Sequence, residues 1–439
     1  MENLIEVLKL GEIPEVIEEI AFKESISTDI LVQRILDGKA VILNNSNHKL
    51  NSDNVCAIGE GLKTKVNANI GTSSDSPDLY KEIRKLSIAI QSGADTVMDL
   101  STSGNIADIR KALLSACTVP FGTVPIYEMI CGMVLKGKNI RDMDPEMMFD
   151  TIIKQAEDGV DFMTIHCGVT RQTVEVLKHY KRLAGIVSRG GAFLAEWILT
   201  NNKENPFYEH FDRLLEIAKK YNLILSLGDG LRPGCLADAS DSAQLSELYV
   251  LGELTKIAWH AGVGVIIEGP GHLPLHQIKA NIELQKSVCN GAPFYVLGPL
   301  VCDIAPGYDH ITSAIGGAIA ASHGADFLCY VTPSEHIGIP TEEDVKQGVI
   351  ASRISAHAGD IAKGIPNSME WDNRISLARK RLDWKTQEEL SIDPQTFRNI
   401  RQRVKLKEND VCSMCGTFCS MREMNRVFNN EKEEVKLKK

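Results

Sequence analysis

The part of the sequence that most restricts the fold is a repeat of strand-like and helix-like segments between residues 64 and 363. Short β-prone runs alternate there with segments long enough for a helix, which is typical of parallel α/β folds. About eight units over roughly 300 residues favour a (β/α)8 TIM-like barrel over an open sheet. Nine runs are strand candidates, so we expect one to lie outside the barrel: 65–70, 96–100, 122–126, 162–166, 184–187, 223–227, 263–267, 294–297 and 327–331.

The segments on either side of this repeat have a different character. Residues 1–63 carry apolar residues near helical spacing, such as Leu4, Val7 and Leu8, and predict a small helical lead-in. Residues 364–439 are polar, with a helical pattern, a cysteine motif and a charged tail. We therefore expect three regions: an N-terminal region at 1–63, a barrel at 64–363 and a C-terminal helical arm at 364–439.

Composition excludes several classes of protein. A net charge of -10 argues against a nucleic-acid binder, although one arginine can still hold a phosphate in an acidic protein. No apolar run approaches the length of a membrane span. The eleven cysteines are odd in number and no signal peptide precedes them, which argues against a disulfide framework. We expect a cytoplasmic protein.

Polar residues follow nearly every strand candidate. In a barrel these ends converge on one face, where the active sites of such enzymes lie. The Ser188-Arg189-Gly190-Gly191 turn opens a helix, and with Arg232 it predicts an anion site for a phosphorylated substrate. Asp229 could accept from an amine or a hydroxyl. The alternative is that each arginine forms a structural salt bridge.

A second set of strand-end residues suits a polar heterocycle or a ribose: Asn69, Tyr127, His166 and Glu268. His166 and Glu268 are the candidates for moving protons. His272 and His310 each close a turn after consecutive strands, and with nearby carboxylates they suit a divalent metal. The alternatives are satisfied polar residues near the core and two hydrogen-bonded turn histidines.

Three thiols lie within eight residues of the arm, at Cys412, Cys415 and Cys419. This spacing suits a [4Fe-4S] cluster with three protein ligands and one open iron. A zinc site would need a fourth ligand, and neither Cys nor His follows Cys419. Zinc and three unrelated thiols are the alternatives.

Several longer motifs resemble the phosphomethylpyrimidine synthase family of thiamin biosynthesis. The resemblance runs from about residue 63 to about residue 422. It is carried by NANIG from Asn67, MDLST from Met98, GTVPIY from Gly122, SRGG from Ser188, LGDGLRPG from Leu227, EGPGH from Glu268, APGYDH from Ala305, CYVTP from Cys329 and CSMC from Cys412.

The resemblance implies a radical S-adenosylmethionine (SAM) lyase acting on 5-aminoimidazole ribotide, with a one-electron reductant. It implies that Cys412, Cys415 and Cys419 hold a [4Fe-4S] cluster and that His272 and His310 hold zinc or another divalent metal. It also implies a homodimer in which the arm reaches the partner's barrel, with a paralogous partner as the alternative. The implied substrate-binding residues are Asn69, Met98, Tyr127, His166, Ser188, Arg189, Gly190, Asp229, Gly230, Leu231, Arg232, Glu268 and Tyr295.

Three departures from the family pattern bear on the product. Glu128 stands where Gln is usual, Cys302 where Thr is usual, and Ser103-Gly104-Asn105 where Gly-Gly-Asp is usual. Because these positions follow strands, the sequence-based preference is the close paralogues that make 5-hydroxybenzimidazole, a precursor of the cobamide (vitamin B12) lower ligand. The alternative is the thiamin pyrimidine phosphate, and a remote third reading is an inactive partner subunit.

Overall fold

The computed structural model describes residues 3–403 and 411–437, with side chains as far as residue 428 in the second stretch. The chain divides into two compact units, Met1–Ile365 and Pro366–Lys439. The first begins with three helices and a two-stranded antiparallel sheet: α1 Leu4–Lys9, α2 Glu15–Glu24, α3 Thr28–Leu36, β1 Ala40–Leu43 and β2 Cys56–Gly59.

The predicted barrel is confirmed. Eight parallel strands close on themselves in chain order. Closure is made by the last and first of them, where Cys329 pairs with Asn67. The strands are β3 Lys65–Ile70, β4 Thr96–Asp99, β5 Phe121–Thr123, β6 Phe162–Ile165, β7 Ile224–Leu227, β8 Val265–Gly269, β9 Phe294–Leu297 and β10 Phe327–Cys329.

Helices surround this barrel, and polar side chains begin many of them. Asp78, Asp144, Ser188, Asp241 and Thr341 each accept a hydrogen bond from a first-turn backbone N–H, which satisfies a group that the helix itself leaves unpaired. The helices are α4 Leu79–Gln91, α5 Ile106–Ala116, α6 Pro125–Leu135, α7 Pro145–Asp158, α8 Arg171–His179, α9 Arg189–Asn201, α10 Pro206–Glu209, α11 Phe211–Tyr221, α12 Ser242–His260, α13 Ile278–Val288, α14 Asp309–Ser322 and α15 Glu342–Lys363.

The ninth strand candidate, residues 184–187, is a loop. Gly185 has a left-handed φ of 69°. The backbone N–H groups of Leu183 and Ala184 donate to the Asp238 carboxylate at 2.7 and 2.8 Å, so a side chain takes the place of a neighbouring strand. The predicted anion-binding turn, residues 188–191 and called the anion turn below, therefore follows a loop and not a strand. The 122–126 candidate is also shorter than expected, because Pro125 is the first residue of α6.

Aromatic rings fill the lower barrel. The Phe162 and Phe327 rings meet edge to face with centroids 6.1 Å apart, and Tyr295 stacks on Phe327 at 4.2 Å. Gly122 has no side chain where the Phe162 ring passes, since a Cβ there would lie 2.4 Å from the ring. These rings fill the barrel interior below the carboxyl ends of the strands.

A buried carboxylate ties the N-terminal region to the opposite end of the barrel. Asp161 accepts hydrogen bonds from the backbone N–H groups of Asn45 at 2.9 Å and Phe121 at 2.7 Å. His48 Nδ1 lies 2.7 Å from the same carboxylate. Asp161 is thus a structural residue, far in the fold from the strands' carboxyl ends.

The second unit is helical: α16 Ser368–Lys380, α17 Trp384–Leu390, α18 Pro394–Gln402 and α19 Ser420–Leu437. The cysteine motif lies just before α19, and this helix continues through most of the charged tail. No helix in the described part of the chain is both long and apolar enough to span a bilayer.

Candidate active site at the barrel mouth

Two adjoining cavities lie at the carboxyl ends of the barrel strands. The inner cavity has a volume of about 90 Å³ and the outer cavity one of about 570 Å³. Asn69, Leu100, Tyr127, Arg232 and Leu297 line both of them. Their combined size is that of a small-molecule site, and their position is that of the active site in barrel enzymes.

Most of the predicted substrate residues meet at these cavities. Arg189 lines the outer cavity. Ser188, Gly190, Gly230 and Leu231 line neither and lie behind the walls. The residues that line the inner cavity are Asn69, Met98, Tyr127, His166, Asp229, Arg232, Glu268 and Tyr295.

The anion turn packs directly on His166. Ser188 Oγ accepts from the Gly191 N–H at 3.2 Å and lies 3.2 Å from His166 Nε2. A Cβ on Gly190 would come within 2.2 Å of the imidazole ring. The absence of a side chain therefore lets the first turn of α9 approach the ring. The N–H groups of this turn, with Arg189 beside them, form a site suited to an anion.

His166 is a neutral imidazole in this setting. Burial, and then the nearby Arg232 cation, lower the pKa of His166 to about 3. A neutral ring can accept or donate a hydrogen bond, but it holds no mobile proton near pH 7. This favours a binding and orienting role for His166 over that of an imidazolium acid.

Glu268 lies among hydroxyl groups. Its Oε1 accepts from Thr164 Oγ1 at 2.6 Å and from Ser226 Oγ at 2.7 Å. Burial raises the pKa of Glu268, although these hydroxyls and Arg232 oppose the shift. A carboxyl group with a raised pKa keeps its proton to a higher pH than an ordinary carboxyl group, which suits a group that exchanges protons. The predicted proton-moving role is thus chemically suited to Glu268.

Cations and an aromatic ring line the passage between the cavities. The Arg189 guanidinium lies 4.5 Å from the centre of the Tyr127 ring, a cation–π geometry. Arg232 Nη1 donates to Asp229 Oδ1 at 3.1 Å. Arg189 lines the outer cavity from the first turn of α9, and Arg232 lines both cavities from the loop after β7. This arrangement suits an anionic group in the outer cavity.

Sequence reasoning missed a hydrogen-bond network on the far wall. Asn67 Nδ2 donates to Asn69 Oδ1 at 2.7 Å and to the Tyr295 hydroxyl at 2.8 Å. Asn69 Nδ2 donates to Cys329 Sγ at 3.0 Å, and the Tyr330 hydroxyl donates to Asn69 O at 2.6 Å. The sequence offered one signal for this network. Asn67 and Asn69 lie two residues apart in a strand candidate, and alternate residues of a barrel strand point inward.

The structure places His272 beside His336, which differs from the expected pairing with His310. Ring centroids of His272 and His336 are 5.2 Å apart, and both residues line the outer cavity. His272 Nδ1 lies 2.9 Å from Asp303 Oδ1, so the proton sits on Nδ1 and Nε2 keeps its lone pair. His310 does not line either cavity, and its Nδ1 is buried without a hydrogen-bond partner among the described residues.

His336 has a left-handed backbone, with φ of 64°, and its Nδ1 lies 3.4 Å from Asp309 Oδ2. Such a conformation is uncommon away from glycine and often marks a functional position. Within the described ranges, no group of three or more His, Cys, Asp or Glu side chains is gathered as a metal site. The candidate metal ligands in this part of the outer cavity are therefore the imidazoles of His272 and His336.

The cysteine motif has suitable chemistry but is not assembled. The backbone N–H groups of Cys415 and Met414 lower the pKa of Cys412, which favours the thiolate that binds iron. Cys415 is exposed and Cys419 is buried. The donor set thus fits a cluster, and the three sulfurs do not form a gathered group in the described residues.

None of the three departures from the family pattern lines either cavity. The Glu128 carboxylate pairs with the buried Arg110 and accepts from Gln155 Nε2 at 2.6 Å. Asn105 Nδ2 donates to Asp108 Oδ2 at 2.5 Å, and Ser103 O accepts from Thr72 Oγ1 at 2.7 Å. The expectation that these residues retune the site therefore lacks support from their positions.

Comparison with known proteins agrees with this geometry. The model of the Radical SAM ThiC family matches residues 3–426. A phosphomethylpyrimidine synthase of Desulfotalea psychrophila is 56% identical over 95% of this chain and 95% of its own length. That of Geobacter metallireducens is 54% identical over 98% of both chains, and that of Moorella thermoacetica 52% identical over 98% of this chain and 99% of its own. The chain belongs to the Radical SAM ThiC family.

Proposed function

We propose that the chain converts 5-aminoimidazole ribotide into the thiamin pyrimidine phosphate. The observation that carries this proposal is an inner cavity lined by amide, imidazole, phenol and carboxyl groups beside a cationic outer passage. Relatives that are more than half identical are named phosphomethylpyrimidine synthase. The benzimidazole product drew its support from Glu128, Cys302 and Ser103–Asn105, which lie outside both linings.

The ribotide fits the two cavities in one orientation. Its phosphate suits the α9 turn and Arg189, because N–H groups at a helix start and a guanidinium are strong anion donors. Its ring and ribose suit the inner cavity, where Asn69, His166 and Glu268 offer hydrogen bonds. The Met98 thioether and the Tyr295 ring supply apolar surface for the imidazole.

The chain's own residues bind, orient and shield the substrate. Neutral His166 accepts or donates a hydrogen bond without adding charge, and Glu268 is the group suited to hold a proton beside the ring. Arg232 and Arg189 balance the phosphate charge. The closed lower barrel keeps bulk water away from the inner cavity.

Membership of the family implies a [4Fe-4S] cluster and SAM. Cys412, Cys415 and Cys419 would hold the cluster, which together with SAM supplies one-electron chemistry. His272 and His336 would hold a divalent metal, since Asp303 orients His272 in the way expected for a metal ligand. Cytoplasmic location, a homodimer and the reductant remain predictions from the sequence.

The proposal is tested by anaerobic assay of the reconstituted protein with SAM, a reductant and the ribotide, followed by mass spectrometry of the product. A phosphorylated aminopyrimidine is the expected product. A hydroxybenzimidazole would instead restore the sequence-based preference. SAM cleavage without ribotide turnover would point to a partner subunit and overturn the proposal.

A further inference from the structure

A third, smaller cavity lies behind the inner cavity, on the α12 side. Its volume is about 20 Å³, and its polar lining includes Asp229, Gln244, Glu247, Glu268 and Asn281. Asp229 and Glu268 also line the inner cavity, so these two carboxyl groups form the wall between the two spaces. The small cavity has room for about one water molecule.

Two carboxyl oxygens at this cavity are buried without a hydrogen-bond partner. They are Asp229 Oδ2 and Glu247 Oε1, and neither meets a donor among the residues the structure describes. The amide groups of Gln244 and Asn281 bond to each other and to Ser240: Gln244 Nε2 donates to Asn281 Oδ1 at 2.8 Å, and Asn281 Nδ2 donates to Ser240 Oγ at 2.9 Å. A buried acceptor without a donor costs roughly 1–3 kcal/mol. A bridging water would relieve that cost at both oxygens.

The other oxygen of Glu247 holds the substrate loop. Glu247 Oε2 accepts from the Leu231 N–H at 2.7 Å. The carbonyl groups of the next two peptides are held by Arg182: its Nη2 donates to Leu231 O at 2.5 Å, and its Nη1 donates to Arg232 O at 3.2 Å. The backbone between Asp229 and Arg232 is thus gripped by a buried carboxyl group from α12 and a guanidinium from the 180–188 loop.

This loop also supports the anion turn. A Cβ on Gly191 would lie 2.0 Å from Gly230 O, and a Cβ on Gly230 would lie 3.0 Å from Gly191 Cα and 3.3 Å from Glu247 Oε1. The two loops therefore meet backbone to backbone, with the Glu247 carboxyl group against one of them. A shift of the 229–232 loop would move the anion turn with it.

We propose that Glu247, which lines neither of the two main cavities, is a positioning residue for the substrate. It holds the Gly230–Leu231 backbone through Oε2 and shares a buried water with Asp229 through Oε1. The proposal rests on the proposed function, because it takes the ribotide as the ligand. Burial, and then the Asp229 carboxyl group, raise the pKa of Glu247 well above its ordinary value. Glutamine has nearly the same size and keeps an acceptor oxygen for the Leu231 N–H, so it is the conservative substitute.

The test measures ribotide and SAM affinity of the reconstituted full chain by calorimetry. Glu247→Ala is expected to weaken ribotide binding at least about tenfold, the loss that corresponds to roughly 1.4 kcal/mol, and to leave SAM binding unchanged. Glu247→Gln is expected to keep a ribotide affinity within about threefold of that of the wild type. Asp161→Asn is the matched control: it also changes a buried carboxyl group that accepts from backbone N–H groups, and it should lower stability without changing either affinity.

Ribotide affinity in Glu247→Ala equal to that of the wild type would overturn the proposal, as would equal losses for ribotide and SAM. If Glu247→Ala does not fold, a high-resolution crystal structure of the wild type decides: a water between Asp229 and Glu247 supports the proposal, and its absence overturns it. If the wild type binds no ribotide, the proposed function fails. The positioning claim is then judged from crystal structures of Glu247→Gln and Glu247→Ala. A shift of the Gly230–Leu231 backbone in Glu247→Ala supports the claim, and an unshifted backbone in that variant overturns it.

Discussion

At the barrel mouth, the pKa values of single residues depend on burial more than on the neighbouring residues in the sequence. His166 and Glu268 follow strands in the same way, yet burial lowers the pKa of one and raises that of the other. Both shifts favour the neutral form, as expected when a charged form loses water. The arginines then carry most of the permanent charge at the site, which would suit an anionic ligand although the whole protein is acidic.

Asp99 provides a test of this effect at a position outside the cavities. Burial raises the pKa of Asp99 from 3.8 to about 6, although Ser101 opposes the shift. The folded state therefore binds the extra proton between these values, and the stability that this proton contributes is present below pH 4 and lost as pH rises through 6. Asp99→Asn should gain stability relative to the wild type as pH rises from 4 to 7, by about 1 kcal/mol or more.

Urea unfolding of both proteins at several pH values measures this difference. Asp53→Asn is the control, because Asp53 is 91% exposed in its pair with Lys23 and such pairs contribute little. The same pH trend in both variants, or none in Asp99→Asn, would contradict the assignment.

The pair formed by His272 and His336 gives a second prediction at the scale of single residues. His272→Ala and His336→Ala should each weaken zinc binding about tenfold or more, because each removes one of the two imidazoles that we propose as ligands. His310→Ala should keep its zinc, since His310 lies outside the outer cavity. Metal content after zinc loading and gel filtration, measured by mass spectrometry, separates these cases. Retained zinc in His336→Ala with loss in His310→Ala would favour the original pairing.

At the scale of elements, the barrel mouth depends on close backbone approaches. The first turn of α9 meets His166 through Gly190 and the 229–232 loop through Gly191. Neither contact leaves room for a Cβ. The turn is thus fixed by what lies opposite it, and not by its own helix propensity alone.

Gly190→Ala should therefore lower stability by roughly 1–3 kcal/mol, the cost of overpacking, and weaken ribotide binding. Gly132→Ala, within α6, is the matched control, since a Cβ there meets nothing within 4 Å and alanine favours a helix by up to about 1 kcal/mol. Thermal unfolding and calorimetry measure both effects. Unchanged affinity in Gly190→Ala would show that the turn can shift without harm.

The elements also show where sequence reasoning succeeds and where it stops. Periodicity located all eight barrel strands, because each is a buried run followed by a helix. It failed at 184–187, where the decisive partner is the Asp238 carboxylate, more than fifty residues away. It likewise listed His310 as a strand-end residue but could not show that the left-handed His336 turns toward His272, since ring direction depends on three-dimensional packing.

At the scale of the whole molecule, the chemistry is divided between two compact units. The inner and outer cavities belong to the unit Met1–Ile365, and the cysteine motif belongs to Pro366–Lys439. Substrate binding and cluster binding should therefore fail separately when single residues are changed. The small buried cavity at Glu247 belongs with the first unit and its loss should spare the cluster.

Cys415→Ala tests this division. The variant should keep its thermal stability and its ribotide affinity, because Cys415 is exposed and lies outside the barrel unit. It should lose most of its iron and all SAM cleavage, since two thiolates do not hold a [4Fe-4S] cluster that normally has three or four protein ligands.

Met414→Ala changes a side chain that is 91% exposed within the same motif and should keep both its iron and its SAM cleavage. Iron content, the visible absorption of the cluster and SAM cleavage are measured together with ribotide calorimetry. Normal SAM cleavage in Cys415→Ala would remove the motif from the cluster, and a parallel loss of ribotide binding would show that the two units do not act separately.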